Sequence, residues 1–170
     1  MRLPLFALTT VAAVAAACPA AAKTLTYRAA LDGTMPPTLT GSPASGAAVI
    51  KVDTQTKRIS VDLDVRGITL GQLSAALVAK PIGPVHLNEY HTADDVELVL
   101  PVPFGTTYSP TKTGFHVSMR GYDYAAGVKL LETGSSFDDF LNAMNAGRIV
   151  LNIHTDKFPE GEISGSVKPS

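Results

Sequence analysis

The sequence is short of most features that would announce a mechanism. It has one cysteine in 170 residues, at position 18, so no disulfide forms within the chain. Neither charge is in surplus: 14 Lys and Arg stand against 15 Asp and Glu, a net charge of −1. With no run of like charges either, nucleic acid is excluded as a partner and an anionic membrane surface has nothing to hold. Leu3 to Ala17 is apolar but falls short of the roughly 20 residues a spanning helix needs. Catalytic strings are also missing. There is no Gly-x-Ser-x-Gly elbow, no phosphate-binding glycine loop, no His-x-His and no pair of histidines four apart. Glu160 and Glu162 are neighbours on one turn, where a glycosidase pair faces itself across a cleft. The chain is therefore not expected to be an enzyme.

What is present suits one folded domain. Hydrophobic residues make up 45% and charged ones 17%, proportions of a globular protein and not of a disordered one. Arg2, the apolar stretch to Ala17 and the small residues Ala20-Ala21-Ala22 before Lys23 have the order of a secretory signal. The reading is a signal peptide over 1–22, a single domain over 23–170 with no transmembrane helix, and a secreted or periplasmic home. Cys18 offers an alternative, a lipid anchor, although Ala15 stands where that pattern wants a leucine.

Short strands dominate the rest. Thr24 to Leu31 alternates apolar and polar residues, and Arg58 to Arg66 does so most cleanly, with Ile59, Val61, Leu63 and Val65 against Ser60, Asp62, Asp64 and Arg66. Such period-2 patterns predict half-buried antiparallel strands. Ala47–Val52, Gly83–Tyr90 and Phe115–Met119 read as strands too. Val96–Val102 is a nearly continuous apolar run that suits a central strand, and Val128–Leu131 is a further short candidate. Ile68–Ala79 fits helix and strand equally. Pro103 to Pro110 reads as part of a long loop. Phe137, Phe140, Leu141 and Met144 lie on one helical face, with Ser135 or Ser136 to cap it, Asp138 and Asp139 in its first turn and Gly147 after its end. Last comes a hairpin, Ile149–His154 and Glu162–Val167, joined by a loop with Pro159 and Gly161. The sum is an all-β, immunoglobulin-like antiparallel sandwich with one short helix before its C-terminal hairpin.

Chemistry concentrates on two of these strands. His86 shares a strand face with Asn88, and His154 with Asn152. If the two strands are neighbours, the four side chains form a polar cluster. Two readings follow: a hydrogen-bonded patch that fixes register, or a copper or zinc site with Glu89 or His91 as further ligands. No cofactor is expected under the first. His91 reads as a loop residue and His116 as an outward strand residue. Asp94, Asp95 and Glu97 lack calcium-loop spacing and read as a solvated face.

One string carries a family resemblance. Asn152-Ile153-His154-Thr155, followed by Pro159-Glu160-Gly161-Glu162-Ile163-Ser164-Gly165, resembles the closing motif of the chordin-type (CHRD) domain, Asn-x-His-Thr, a short loop, then Pro-x-Gly-Glu-Ile-x-Gly. The Tyr27-x-Ala29-x-Leu31 strand, Met35-Pro36-Pro37, the Gly41–Gly46 stretch and the 137–147 helix resemble the family as well. Where many members carry a His-x-His in mid-domain, this chain has His86-Leu87-Asn88. The likeness to copper–zinc superoxide dismutases is fainter, since their His-x-His, ligand number and disulfide are all missing. The CHRD resemblance implies a secreted or periplasmic immunoglobulin-like β-sandwich without an agreed activity, and the chain is read as a binding or structural module of the envelope whose partner is an unknown protein or envelope component. Thr155, Pro159, Gly161, Glu162 and Gly165 belong to the closing motif, and Asn152, His154, Gly161, Glu162 and Gly165 would form one unit, with Gly161 setting the turn, Glu162 making a local charge-assisted hydrogen bond and His154 tying the loop down.

Overall fold

The cleanest alternation in the sequence is obeyed residue by residue. In the computed structural model, which describes residues 23–35, 39–92, 95–131 and 135–170, strands β1 (Thr24–Asp32), β2 (Ser45–Asp53) and β3 (Arg58–Arg66) form an antiparallel meander. Ile59, Val61, Leu63 and Val65 are buried, and Asp64 and Arg66 are exposed. The tight β2–β3 turn is closed by Asp53, whose carboxylate accepts from the N–H groups of Gln55 and Thr56 at 3.0 and 2.8 Å. The segment 1–22 expected to be a signal peptide, with Cys18, lies outside the described residues.

Further along come β4 (Val85–Tyr90), β5 (Val96–Val102), β6 (Tyr108–Pro110), β7 (Gly114–Asp123), β8 (Ile149–Ile153), β9 (Ile163–Ser166) and the two-residue β10 (Lys168–Pro169). The strand order is β5-β4-β8-β9-β1-β2-β3-β7-β6, with β10 beside β1, and all pairings are antiparallel. β9 and β1 share a single register pair, Ser164 with Asp32. The sheet curls there, and the inward residues of its two parts share one apolar core. Leu31, Ile50 and Leu63 from one part are buried with Leu87, Leu100 and Ile149 from the other. This is the all-β sandwich-like architecture the turn-punctuated strands implied.

Three local expectations change. The apolar run of β5 suggested a central strand, yet β5 lies at the sheet edge with Val96 exposed. Its hydrophobicity is used sideways. Helix α2 (Tyr124–Leu131) packs on it, Gly127 allowing the approach, since a Cβ there would lie 3.3 Å from Pro101 Cδ. That helix is the second change. Val128–Leu131 looked like a strand because so short a run, three apolar residues around Lys129, satisfies either period, but Asp123 accepts from Ala125 N–H at 2.9 Å and starts a helix instead. The fold thus has more helix than the single one expected. The ambiguous 68–79 segment resolves into a 3₁₀ turn (Leu70–Gln72) and the one-turn helix α1 (Ala75–Val78). Third, β6 occupies part of the presumed loop after β5.

Helix α3 (Phe137–Asn145) forms as its pattern required. Ser136 caps it by accepting from Asp139 N–H at 3.1 Å, Phe137, Phe140 and Met144 are buried, and Gly147 ends it at φ 70°. No described helix is long and apolar enough to cross a membrane.

Candidate functional site

β4 and β8 are hydrogen-bonded neighbours, with His86 directly opposite Asn152 and Asn88 opposite Val150. Successive residues of a strand point to opposite faces. Val85, Leu87, Ile149, Leu151 and Ile153 therefore face the core and are fully buried. The opposite face carries His86, Asn88, Val150 and Asn152, and it is buried as well. Val150 is buried without belonging to the core. His154 follows just beyond the end of β8, its ring centroid 4.8 Å from that of His86. Of the four side chains singled out from the sequence, His86, Asn152 and His154 thus come together in one polar seam, and Asn88 shares its face opposite Val150. The chain between β3 and β4 fixes its end: His154 N–H donates to Pro84 O at 2.9 Å, and Ser74 N–H donates to His154 O at 3.0 Å.

The hydrogen bonds of the seam are incomplete. His86 Nε2 donates to Gly83 O at 2.5 Å, and His154 Nδ1 to Pro159 O at 2.8 Å. A carbonyl oxygen only accepts, so these two nitrogens carry the hydrogens. Asn152 Nδ2 donates to Tyr90 Oη at 3.2 Å. Asn152 Oδ1 and His154 Nε2 are buried and have no hydrogen-bond partner among the described residues. Burial, and then the neighbouring His154, push the His86 pKa down from 6.5 to about 4. Burial also lowers that of His154, against the bond to Pro159 and the charge of Glu160. Both rings are therefore neutral at neutral pH, each with one nitrogen that carries a lone pair and no hydrogen, His86 Nδ1 and His154 Nε2. Neutral imidazole is the form that accepts a hydrogen bond or ligates a metal.

The second half of the hairpin is wired completely. Glu162 Oε1 accepts from Ser42 Oγ at 2.6 Å and Oε2 from Thr155 Oγ1 at 2.7 Å. Its backbone N–H donates to Ile153 O at 2.7 Å, and its carbonyl accepts from Thr40 Oγ1 at 2.7 Å. Thr155 Oγ1 also accepts from Phe158 N–H at 3.1 Å. Gly161 turns the chain at φ 120°, a conformation other residues rarely adopt. Gly165 lets β9 lie against β1, where a Cβ would come within 2.1 Å of Ala30 O. The closing residues act as one unit, with Glu162 as its hub. The charge-assisted hydrogen bonds of Glu162 come from hydroxyl donors, the nearby Thr155 and the distant Ser42.

Two expected ligands do not join the seam. Glu89 stands opposite Ile149, on the core-facing parity, and accepts from Arg148 Nε at 2.8 Å. His91 lies beside it, 3.6 Å from Glu89 and 3.9 Å from Glu97. Asp94 lies outside the described residues. His116 faces outward as read, but with company the sequence did not suggest. The β3–β7 register places it opposite Asp64, at 3.0 Å, next to Asp62. Arg120 also pairs with Asp62, so this trio is an ordinary exposed charge network. Tyr90 and the carbonyls of Gly83 and Pro159 escaped sequence reading. A backbone acceptor has no residue-type signal, and a half-buried tyrosine two residues beyond Asn88 is unremarkable until the strands are paired.

Comparison with known families gives one match. The family model described as CHRD domain covers residues 27–167. No significant match is found among curated proteins or solved structures.

Proposed function

The chain belongs to the CHRD-domain family, and we propose that it is an exported binding module of the cell envelope, without catalysis of its own, whose site is the β4–β8 seam. The observation that carries this reading is the pair of unpartnered buried acceptors, Asn152 Oδ1 and His154 Nε2. A buried polar atom left without a partner costs about 1–3 kcal/mol. The sandwich does not need that cost, because its core is complete on the other face of the same strands. Groups kept at a cost to stability are suited to receive something from outside. They are neutral acceptors and not a nucleophile with its base, which favours binding over chemistry. Support for export comes from the N-terminal pattern, whose expected cleavage after Ala22 falls just before β1 begins at Thr24. The partner is an envelope component or protein of unassigned identity; the alternative ligand, a copper or zinc ion, is favoured by the two free imidazole nitrogens.

Cell fractionation of the tagged full-length chain, with mass analysis of the product, tests export. The expected product begins at Lys23 and is found outside the cytoplasm; an uncleaved cytoplasmic chain would refute export. Backbone NMR tests the site. Envelope extract is expected to shift the amides of 85–90 and 150–155, and shifts elsewhere with a silent seam would refute it.

A further inference from the structure

Resting on the seam as the binding site, we propose that it holds one monovalent copper ion, Cu(I), between His86 Nδ1 and His154 Nε2, with Asn152 Oδ1 as a third donor. Three observations lead there. The first is the anchoring of both rings. Each imidazole donates its far N–H to a backbone carbonyl, Gly83 O for His86 and Pro159 O for His154. That is the outer-shell arrangement that fixes the tautomer and the ring plane of metal-binding histidines. It leaves His86 Nδ1 and His154 Nε2 as lone-pair donors.

The second observation is proximity. The ring centroids are 4.8 Å apart, with the planes inclined by 44°. With metal–imidazole bonds of about 2 Å, rings this close embrace an ion at a bent angle, which leaves a side open for a further ligand. Asn152 is the neighbour available to supply it, directly across from His86 and two residues before His154, only 2% exposed and with Oδ1 unpartnered among the described residues. Its amide nitrogen is engaged by Tyr90, which turns the oxygen the other way.

Charge is the third. All three donors are neutral, and the nearby carboxylates are engaged elsewhere: Glu89 with Arg148, Glu162 with Ser42 and Thr155. Among the described residues, the anion that acts on the seam is the exposed Glu160, whose charge reaches His154. The cost of burying an ion grows as the square of its charge. A single positive charge opposite Glu160 is tolerable there, and a divalent ion with no anionic ligand is not. Imidazole donors suit copper, and Cu(I), a closed-shell ion, accepts two or three ligands. A proton shared between the rings is the rival occupant, and the burial that lowers both pKa values opposes it.

Anaerobic competition against a chromophoric Cu(I) chelator tests the assignment, using the full-length chain with Cys18→Ser so that its one thiol cannot contribute. One equivalent of Cu(I) is expected to move to the protein. His86→Gln and His154→Gln should each weaken binding by about a hundredfold or more, and Asn152→Leu by roughly tenfold. Zn(II), run against its own chelator, should bind far more weakly. No copper transfer, equal transfer to the double-histidine variant, or tighter zinc than copper would each overturn the proposal. Should the histidine variants fail to fold, X-ray absorption of the copper-loaded Cys18→Ser chain decides: imidazole scattering is expected, and a sulfur-dominated shell would refute it. If copper fails while envelope extract still shifts the seam amides, the ion is wrong and the binding-module reading stands. If both fail, the seam is not a binding site.

Discussion

Two halves of one hairpin treat their buried acceptors in opposite ways. On the β9 side, both carboxylate oxygens of Glu162 have hydroxyl donors, and its backbone N–H and C=O are bonded too. On the β8 side, within ten residues, Asn152 Oδ1 and His154 Nε2 have none among the described residues. Burial does not explain the contrast. Ser42, Thr40 and Thr155 reach across to complete one half, while the other lies between Tyr90, Gly83 and Pro159, which meet only the N–H sides of Asn152, His86 and His154. His86 Nε2, His154 Nδ1 and Asn152 Nδ2 each have an acceptor, and the lone pairs of Asn152 Oδ1 and His154 Nε2 remain. The closing motif is thus bolted at Glu162 and open at His154.

The largest effect should come from breaking the bolted half. Glu162→Leu removes two charge-assisted hydrogen bonds and strands the hydroxyls of Ser42 and Thr155, so a loss of about 3 kcal/mol is expected by urea denaturation. A loss below about 1 kcal/mol would mean that the hub is not what holds the loop.

Acid sharpens the comparison next. Both seam histidines have folded pKa values below 6.5, that of His86 about 4. The unfolded chain binds more protons in between, so stability is complete above about pH 6.5 and falls as pH drops toward 4, by up to about 1.4 kcal/mol per pH unit for each ring. Denaturation midpoints between about pH 7.5 and about pH 4.5 should show this slope, and His86→Gln should flatten it. A flat parent profile would place the rings in water.

The smallest effect is the most telling in sign. Asn152→Leu combined with Tyr90→Phe removes a hydrogen-bonded pair together with an unpartnered oxygen. The double variant should be as stable as the parent or slightly more so, within about 1 kcal/mol. A loss of more than about 2 kcal/mol would show that the open half is bolted too.

Much of this was legible beforehand. The alternation of Arg58–Arg66, the stripe and caps of 137–145 and the closing string each state their structure locally, because period, cap and turn residue all agree. The cluster of His86, Asn88, Asn152 and His154 was legible as a conditional that only strand order could settle. What remained hidden depends on distance in sequence. Asp64 and His116 meet through a register set 52 residues apart, Ser42 reaches Glu162 across 120 residues, and the edge strand β5 keeps an apolar run because α2 packs on it. An apolar run states that a segment is buried, and not by what.

The central claim is that the open half presents two neutral, oppositely tautomeric imidazoles with free lone pairs. Long-range ¹H–¹⁵N NMR of the histidine side chains at neutral pH reads this directly. The account expects His86 protonated on Nε2 alone and His154 on Nδ1 alone, with the other nitrogen of each ring bare. A doubly protonated ring, or either tautomer reversed, would contradict it.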